Sequence, residues 1–564
     1  MQRLVRNNTL RVGLIVDNKD LHFIAWDLIE RSLNNKNYQI SALIVQEINL
    51  VSNTKKSILK IKNYISNKGF KKFIERISFE IIHKTEYFIS RFIDPICVVS
   101  QKYKDIKNFD IPKIYVKPIL SSSGLVYRYK KEDLNKIIDH DIDVLIRCGS
   151  GILRGEILNI CKFGVISFHH GDNQEFRGSP AGFWETYFQV EKTGFIIQRL
   201  NNELDGGDVL FKGSIRTKLL YLINQNNIFY KSSPFMDKFL QNLSLTRKIT
   251  NINEKLPYSS ILFSTPSLEI QVNYLLKTFF ILTTKIIKKI LKIGHIWYVG
   301  YQKVGDWRES ILWKSNIIKN IKGHYFADPF ILKKNQSHFI FVEDFNIKEA
   351  KGSISVIKID NNKSIFLGKA LEEEFHLSFP FIIEVDDEVY MIPESSQSNQ
   401  IRIYKCINFP LKWELHKILM KKIKAVDTLI FKVKDKWWML TNIDSAKMRE
   451  HESELHIFYA DKFDSSNWVE HPKNPVIFSP EKGRNGGLIK DINGDLYRIF
   501  QRQSPNKYGN KMGISKIKKI TKNDYQEEEI AMIEPKFFKG INGTHTLNFK
   551  DELLVIDFSK IENY

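Results

Sequence analysis

The stretch Asp143–Leu210, DVLIRCGSGILRGEILNICKFGVISFHHGDNQEFRGSPAGFWETYFQVEKTGFIIQRLNNELDGGDVL, decides the reading of the first half of the chain. It opens on a short apolar run, Val144–Ile146, passes through a segment of helical tendency around Ile152–Ile160, and reaches a second apolar run, Val165–Phe168. Runs of this length separated by a crossover are the pattern of neighbouring parallel strands. The second run delivers His169 at its C-terminal end, and in open α/β sheets that edge is where ligands sit. His169 is therefore the first candidate functional residue.

Working outward, LRVGLIVD at 10–17 reads as a buried strand, 21–33 as an amphipathic helix and SALIVQEI at 41–48 as the next strand,. Residues 52–105 are lysine-rich with helical tendency. IPKIYVKPI at 111–119 reads as an edge strand, followed by short helical spacing at 133–138 and a long helical segment at 218–245. No Gly-x-Gly-x-x-Gly follows the first strand, which excludes a dinucleotide fingerprint.

In the central stretch, His169, Arg177-Gly178, Pro180, Thr193-Gly194 and Leu204-Asp205-Gly206-Gly207 are collinear with a known pattern. They resemble the formyltransferases that use 10-formyltetrahydrofolate. The resemblance implies a Rossmann-like α/β domain and transfer of a formyl group from that folate to an amine. It implies that His169 stabilises the oxyanion or shuttles a proton, that Asp205 takes the amine's proton and orients His169, and that Arg177, Gly178, Gly206 and Gly207 shape the folate cleft. The family's Asn position is Ser167, whose shorter hydroxyl stands in as a third catalytic group, and His170 follows where the family has Pro.

The chain has 564 residues, more than one core usually supports, and a net charge of +21,. Lysine is spread throughout rather than gathered into a basic groove with interleaved aromatics, so nucleic acid is not an expected partner. The four cysteines, Cys97, Cys148, Cys161 and Cys406, show no Cys-x-x-Cys, so neither a zinc site nor a disulfide framework is expected,. Arg3 and Arg6 precede an apolar run too short for a signal peptide, and a cytoplasmic location follows as the expectation. The segment 269–294 carries a broad apolar face broken by Lys277, Lys285, Lys288, Lys289 and Lys292. It reads as an amphipathic helix docked on a neighbouring domain, with peripheral contact to an anionic membrane as the alternative.

From about residue 306 the texture becomes strand, turn, strand. FADPFILKKNQSHFIFVEDF, LSFPFIIEVDDEVYMIPES, AVDTLIFKVKDKWWMLTNI, RNGGLIKDINGDLYRIFQR and GTHTLNFKDELLVIDFS align as five copies of one phrase. Their marker positions, Asp328, Phe379, Asp427, Gly486 and His545, recur at about 50 to 60 residues, the spacing of four-stranded blades,. A five-bladed β-propeller is the expected closure. The second strand of each copy ends on a polar group, Glu343, Glu394, Asn442, Gln501 or Asp557, and pseudo-symmetry gathers these on one face. Such acids serve a glycan site with paired carboxylates or satisfy backbone donors between blades. This half resembles the N-terminal domain of glucosamine inositolphosphorylceramide transferases and, more distantly, five-bladed glycoside hydrolases. Asp328, Glu394, Asp427 and His545 are its candidate substrate residues.

The expectation is an α/β formyltransferase-like domain (1–250), a basic helical linker (251–305) and a five-bladed propeller (306–564). Together they would formylate an amino sugar in the making of a surface glycan. The alternative is a glycan-binding or glycosyl-transferring propeller whose formyltransferase half has lost turnover through Ser167.

Overall fold

The computed structural model describes residues 9–17, 20–48, 69–94, 99–252, 256–361 and 363–563. Arg3, Arg6, Cys97 and positions 52–68 lie outside the described residues. The chain divides into two compact units, Met1–Phe279 and Phe280–Tyr564.

The first unit is built on a seven-stranded sheet. Its strands are β1 (Leu10–Asp17), β2 (Tyr38–Gln46), β3 (Lys113–Val116), β4 (Val144–Arg147), β5 (Val165–His169), β6 (Lys192–Arg199) and β7 (Asp208–Arg216). The spatial order is β7-β6-β5-β4-β1-β2-β3. β3 to β5 run parallel along that order, while β6 and β7 are antiparallel additions. The runs Leu14–Val16 in β1 and Val144–Ile146 in β4 suit strands covered on both faces,. Helices α1 (Phe23–Leu33), α2 (Phe70–Ile93), α3 (Tyr221–Thr246) and α4 (Leu268–Ile290) are the long helices among the described residues. Helix α3 packs on α1 and on the antiparallel strands.

The segment Ile152–Ile160 departs from its helical reading. It forms a two-residue strand, Ile152–Leu153, and a single 3-10 turn, Glu156–Leu158. Gly151 and Gly155 hold φ of 85° and 83°, a left-handed backbone that a continuing helix cannot contain, and a Cβ on Gly151 would stand 2.3 Å from the Tyr127 ring,.

The second unit is five antiparallel sheets in succession. The first four begin with His324–Lys334, Ser378–Val385, Ala425–Val433 and Asn485–Lys490, and each continues outward strand by strand. The fifth joins the ends of the unit: Ile293–Lys303 pairs along its whole length with Leu553–Asn563. Residues 293–303, assigned from sequence to the linker, are therefore a sheet strand, and the linker's helical part is α4. Each first strand contacts the next, and the last, Leu547–Lys550, contacts His324–Lys334. Among the described residues no helix is long and apolar enough to cross a membrane.

A bulge recurs at the marker position of the first four sheets, between Ala327 and Phe330, Ser378 and Phe381, Val426 and Leu429, and Asn485 and Gly487. Asp328, Phe379 and Asp427 take φ of 48°, 44° and 51° there. A bulge re-aims a side chain, and here it does so at equivalent places. The partner opposite the preceding residue is Glu343, Glu394 or Asn442 in the first three sheets, which makes those strand ends structurally equivalent.

Candidate functional site

In the first unit, Ser167, His169, Gly178 and Asp205 line one cleft of about 220 Å³ with Arg147, Gln198 and His170. Arg177, Gly206 and Gly207 line an adjoining cavity of about 490 Å³. His169 is delivered at the end of β5, and its Nδ1 lies 3.4 Å from Asp205 Oδ1. Its Nε2 lies 3.1 Å from the Phe176 carbonyl, so both ring nitrogens face protein groups. The Ser167 hydroxyl donates to the Phe168 carbonyl at 2.9 Å and is buried. Asp205, at φ 51°, accepts from the Gly178 N–H at 3.3 Å. The Arg177 guanidinium covers the Tyr258 ring, and its Nε donates to the Asn173 carbonyl. His170 is half-buried between Phe168 and Phe229 with Nε2 on Ser232 Oγ; desolvation there, then His169 and His22, pushes its pKa well below the ordinary range.

The second unit gathers more charge. Asp427, 1% exposed, is gripped by Arg484 of the fourth sheet at 2.6 Å and 3.4 Å, and Gln501 Nε2 donates to it at 3.1 Å. Asp328 accepts from Thr546 Oγ1 at 2.7 Å and stands 3.4 Å from His545 Nε2. His545 Nδ1 is 2.7 Å from Asp557, and the Trp297 ring lies against the imidazole with centroids 4.0 Å apart. Glu394 accepts from Ser378 and Ser396, and Glu343 stands 3.6 Å from His376 Nε2.

Burial lifts the Asp427 carboxyl to about 7; Arg484 opposes the rise and Glu394 adds to it. Glu343 is pushed well above the usual carboxyl range by burial and by Asp328, Glu394, Asp557 and Asp427 in turn. Asp328 is raised by burial against the pull of His545. Burial lowers His545, but Asp557 and Asp328 outweigh it and the imidazole is raised. Asp328, Glu394, Asp557 and Asp427 are thus the carboxyls whose charge reaches Glu343,.

Not every acid there is free for chemistry. Asp557 accepts the backbone N–H groups of Asp328, His545 and Thr546 and so ties the fifth sheet to the first. Asn442 ties the third to the fourth through Gly483 and Asn485. The backbone-donor role foreseen for strand-end polar groups is thus real at these two positions. Asp328, His545 and Asp557 also offer ligand atoms within 4.8 Å of one another, a metal-competent grouping that cysteine spacing could not disclose. The His545 imidazole, its pKa raised by Asp557 and Asp328 against burial, stands between the two carboxyls.

Residues that the sequence reading passed over are Arg484, Tyr508, Trp297 and His376. Arg484 stood two positions before the marker Gly486 in the fourth copy, and its guanidinium lies over the Tyr508 ring. Trp297 comes from the strand read as linker.

A family model described as "Glucosamine inositolphosphorylceramide transferase 1, N-terminal" matches residues 313–552. A protein of Oryza sativa subsp. japonica named glucosamine inositolphosphorylceramide transferase 1 is 32% identical over 230 residues, 40% of this chain and 30% of that protein. The chain thus spans less than a third of that relative's length. Among solved structures, a family 117 glycoside hydrolase of Zobellia galactanivorans shares 10% identity over 47% of this chain and 90% of its own, with a TM-score of 0.31. A phosphoribosylglycinamide formyltransferase of Bacillus halodurans shares 14% over 42% and 97%, with a TM-score of 0.28. Both are distant.

These findings correct the expected activity. The sequence-level matches are to proteins named as glucosamine inositolphosphorylceramide transferases, and they fall on the second unit. The reading as a folate-dependent formyltransferase is overturned.

Proposed function

We propose that the second unit is a five-bladed β-propeller whose centre holds an amine-bearing sugar, and that the chain serves a glycosyl transfer to a lipid-carried acceptor. The observation that carries this reading is the convergence of Asp328, Glu343, Glu394 and Asp427, from three different sheets, on one buried centre. Carboxyls crowded in low dielectric hold protons they would lose in water, and an arriving ammonium group stabilises their ionised forms. A site so rich in acids repels phosphate and attracts a cation, which suits the amine of glucosamine rather than the phosphate of an inositol lipid.

The same groups suit acid–base chemistry at a glycosidic carbon. A carboxyl held protonated near neutrality, as burial holds Glu343, gives a proton to a departing oxygen, and an ionised neighbour stabilises the positive charge that develops on the sugar ring,. The Tyr508 ring, 37% exposed, supplies an apolar face on which a pyranose packs,.

The test is mass spectrometry of the full chain incubated with nucleotide-linked glucosamine and an inositolphosphorylceramide acceptor, beside Glu343→Gln. A glucosamine adduct on the lipid that falls at least tenfold in the variant supports the reading. An unmodified acceptor, with no sugar bound by either protein, overturns it.

A further inference from the structure

Helix α4 carries an apolar stripe that the protein does not cover. Val272, Leu275, Phe279, Leu282, Ile286 and Ile290 recur at three- and four-residue steps, which places them on one face, and all are exposed,. Leu276, Phe280 and Ile287 widen that face; Phe280 is 71% and Ile290 74% exposed. The side buried against the first unit is narrow and polar: Gln271, Tyr274 and Thr278. Gln271 bonds to the Glu75 carbonyl and Ser78 of α2, and Tyr274 donates to Glu86 of α2 while accepting the Tyr221 N–H. The helix is therefore anchored through polar contacts, with its apolar face turned out, the reverse of a helix docked on a core.

Helix α2 repeats the arrangement. It buries Glu75, Phe79, Ile82, Glu86 and Ser90, and leaves Phe70, Ile81, Phe88 and Phe92 exposed, Phe92 by 77%. Two of its three acids are thus turned inward, while Lys71, Lys72, Lys84 and Arg91 remain outside its buried side. On α4, Glu269 is the one acid, against Lys277, Lys285, Lys288 and Lys289.

From these two helices we infer a docking face for an anionic lipid surface, with α4 lying in the plane of the headgroups. An apolar face flanked by lysines is the composition of an interfacial helix, and 23 residues at 1.5 Å each give it a length of about 34 Å,. Charge decides against a second copy of this chain as the occupant. Lysine on one α4 would meet lysine on the other, with only Glu269 to answer it, and the apolar face is wider than the seam of a two-stranded coil. The inference stands on the helices alone and is independent of the sugar site.

The experiment is flotation of the full chain with vesicles of phosphatidylcholine alone and with phosphatidylserine added, alongside light scattering of the protein in solution. The variants are Leu276→Asp/Phe280→Asp and Lys288→Glu/Lys289→Glu, all at exposed or half-exposed positions, with thermal melts to confirm that each is folded. The expected result is flotation with the anionic vesicles, at least tenfold weaker with phosphatidylcholine, weakened by high salt and lost in both variants. Two results overturn the inference. One is a wild-type chain that stays in the bottom fraction with both compositions. The other is a dimer in solution that Leu276→Asp/Phe280→Asp reduces to a monomer.

Discussion

Removing one partner of the Asp427–Arg484 pair exposes what holds the second unit's centre together. Asp427 is 1% exposed and its partner's side chain 14%, so either single substitution strands a buried charge. Breaking such a pair costs about 3–5 kcal/mol, whereas replacing both partners by apolar groups of similar volume is close to neutral. The two singles differ in kind. In Asp427→Asn the stranded group is a guanidinium that stays charged and the wild type's carboxyl titration is gone, so the variant's deficit shrinks by about 1.4 kcal/mol from pH 6 to pH 8,. In Arg484→Met the stranded group is a carboxyl whose folded pKa, about 7 in the intact protein, rises further. A carboxyl whose folded pKa is raised costs stability progressively from its unfolded pKa up to its folded pKa and no further above it, so the wild type levels off near pH 7 while the variant keeps falling to its higher pKa,. Below about pH 7 Asp427 is protonated in both proteins and the variant loses only packing. Above it the variant's deficit grows by about 1.4 kcal/mol per pH unit until the new pKa is reached. Urea unfolding of the three variants and wild type at pH 6 and pH 8 reads this directly. Asp427→Leu/Arg484→Met should recover most of the stability lost by either single. Equal losses for Arg484→Met at both pH values, or a double variant as unstable as the sum of the singles, would refute the reasoning.

Three further outcomes follow from the same geometry. Tyr274→Phe removes a donor from the buried Glu86 carboxyl, which burial already lifts to about 7; it should cost the first unit about 1–3 kcal/mol, read by thermal melt,. His169→Ala should lower the first unit's stability by roughly 1 kcal/mol, the worth of a lost hydrogen bond, and leave sugar binding by the second unit unchanged in calorimetry,. Binding of an amino sugar should weaken as pH falls through about 7, because Asp427 then takes up its proton and the cluster loses negative charge,.

The sheet of the first unit was legible because its strands are continuous apolar runs, and β4 and β5 lie side by side as their spacing demanded. The crossover between them was not, since a helical rhythm at Ile152–Ile160 is overridden by two glycines that the chain holds left-handed. In the second unit, the repeat placed Asp328, Phe379 and Asp427 at equivalent bulges, and local periodicity sufficed for that. Pairing between the two ends of the unit was out of reach. Nothing local tells that 293–303 runs beside 553–563, so Trp297 and its contact with His545 stayed hidden. The activity read from motif order did not hold: His169, Arg177 and Asp205 keep a familiar order, but the proteins this chain matches in sequence are named as glucosamine inositolphosphorylceramide transferases.

The docking preference for α4 failed for a related reason. An amphipathic rhythm announces two faces without saying which one is buried. Here the polar side, through Gln271, Tyr274 and Thr278, is the buried one.

The most direct test of the central claim is calorimetric titration of the full chain with glucosamine and, separately, with N-acetylglucosamine, which differ at one nitrogen: an ammonium in the first, a neutral and bulkier acetamide in the second. An acid-lined propeller centre predicts binding of glucosamine, at least tenfold weaker binding of the acetylated sugar, and loss of the difference in Glu343→Gln/Asp427→Asn. Equal affinity for the two sugars, or heat from neither, would contradict it.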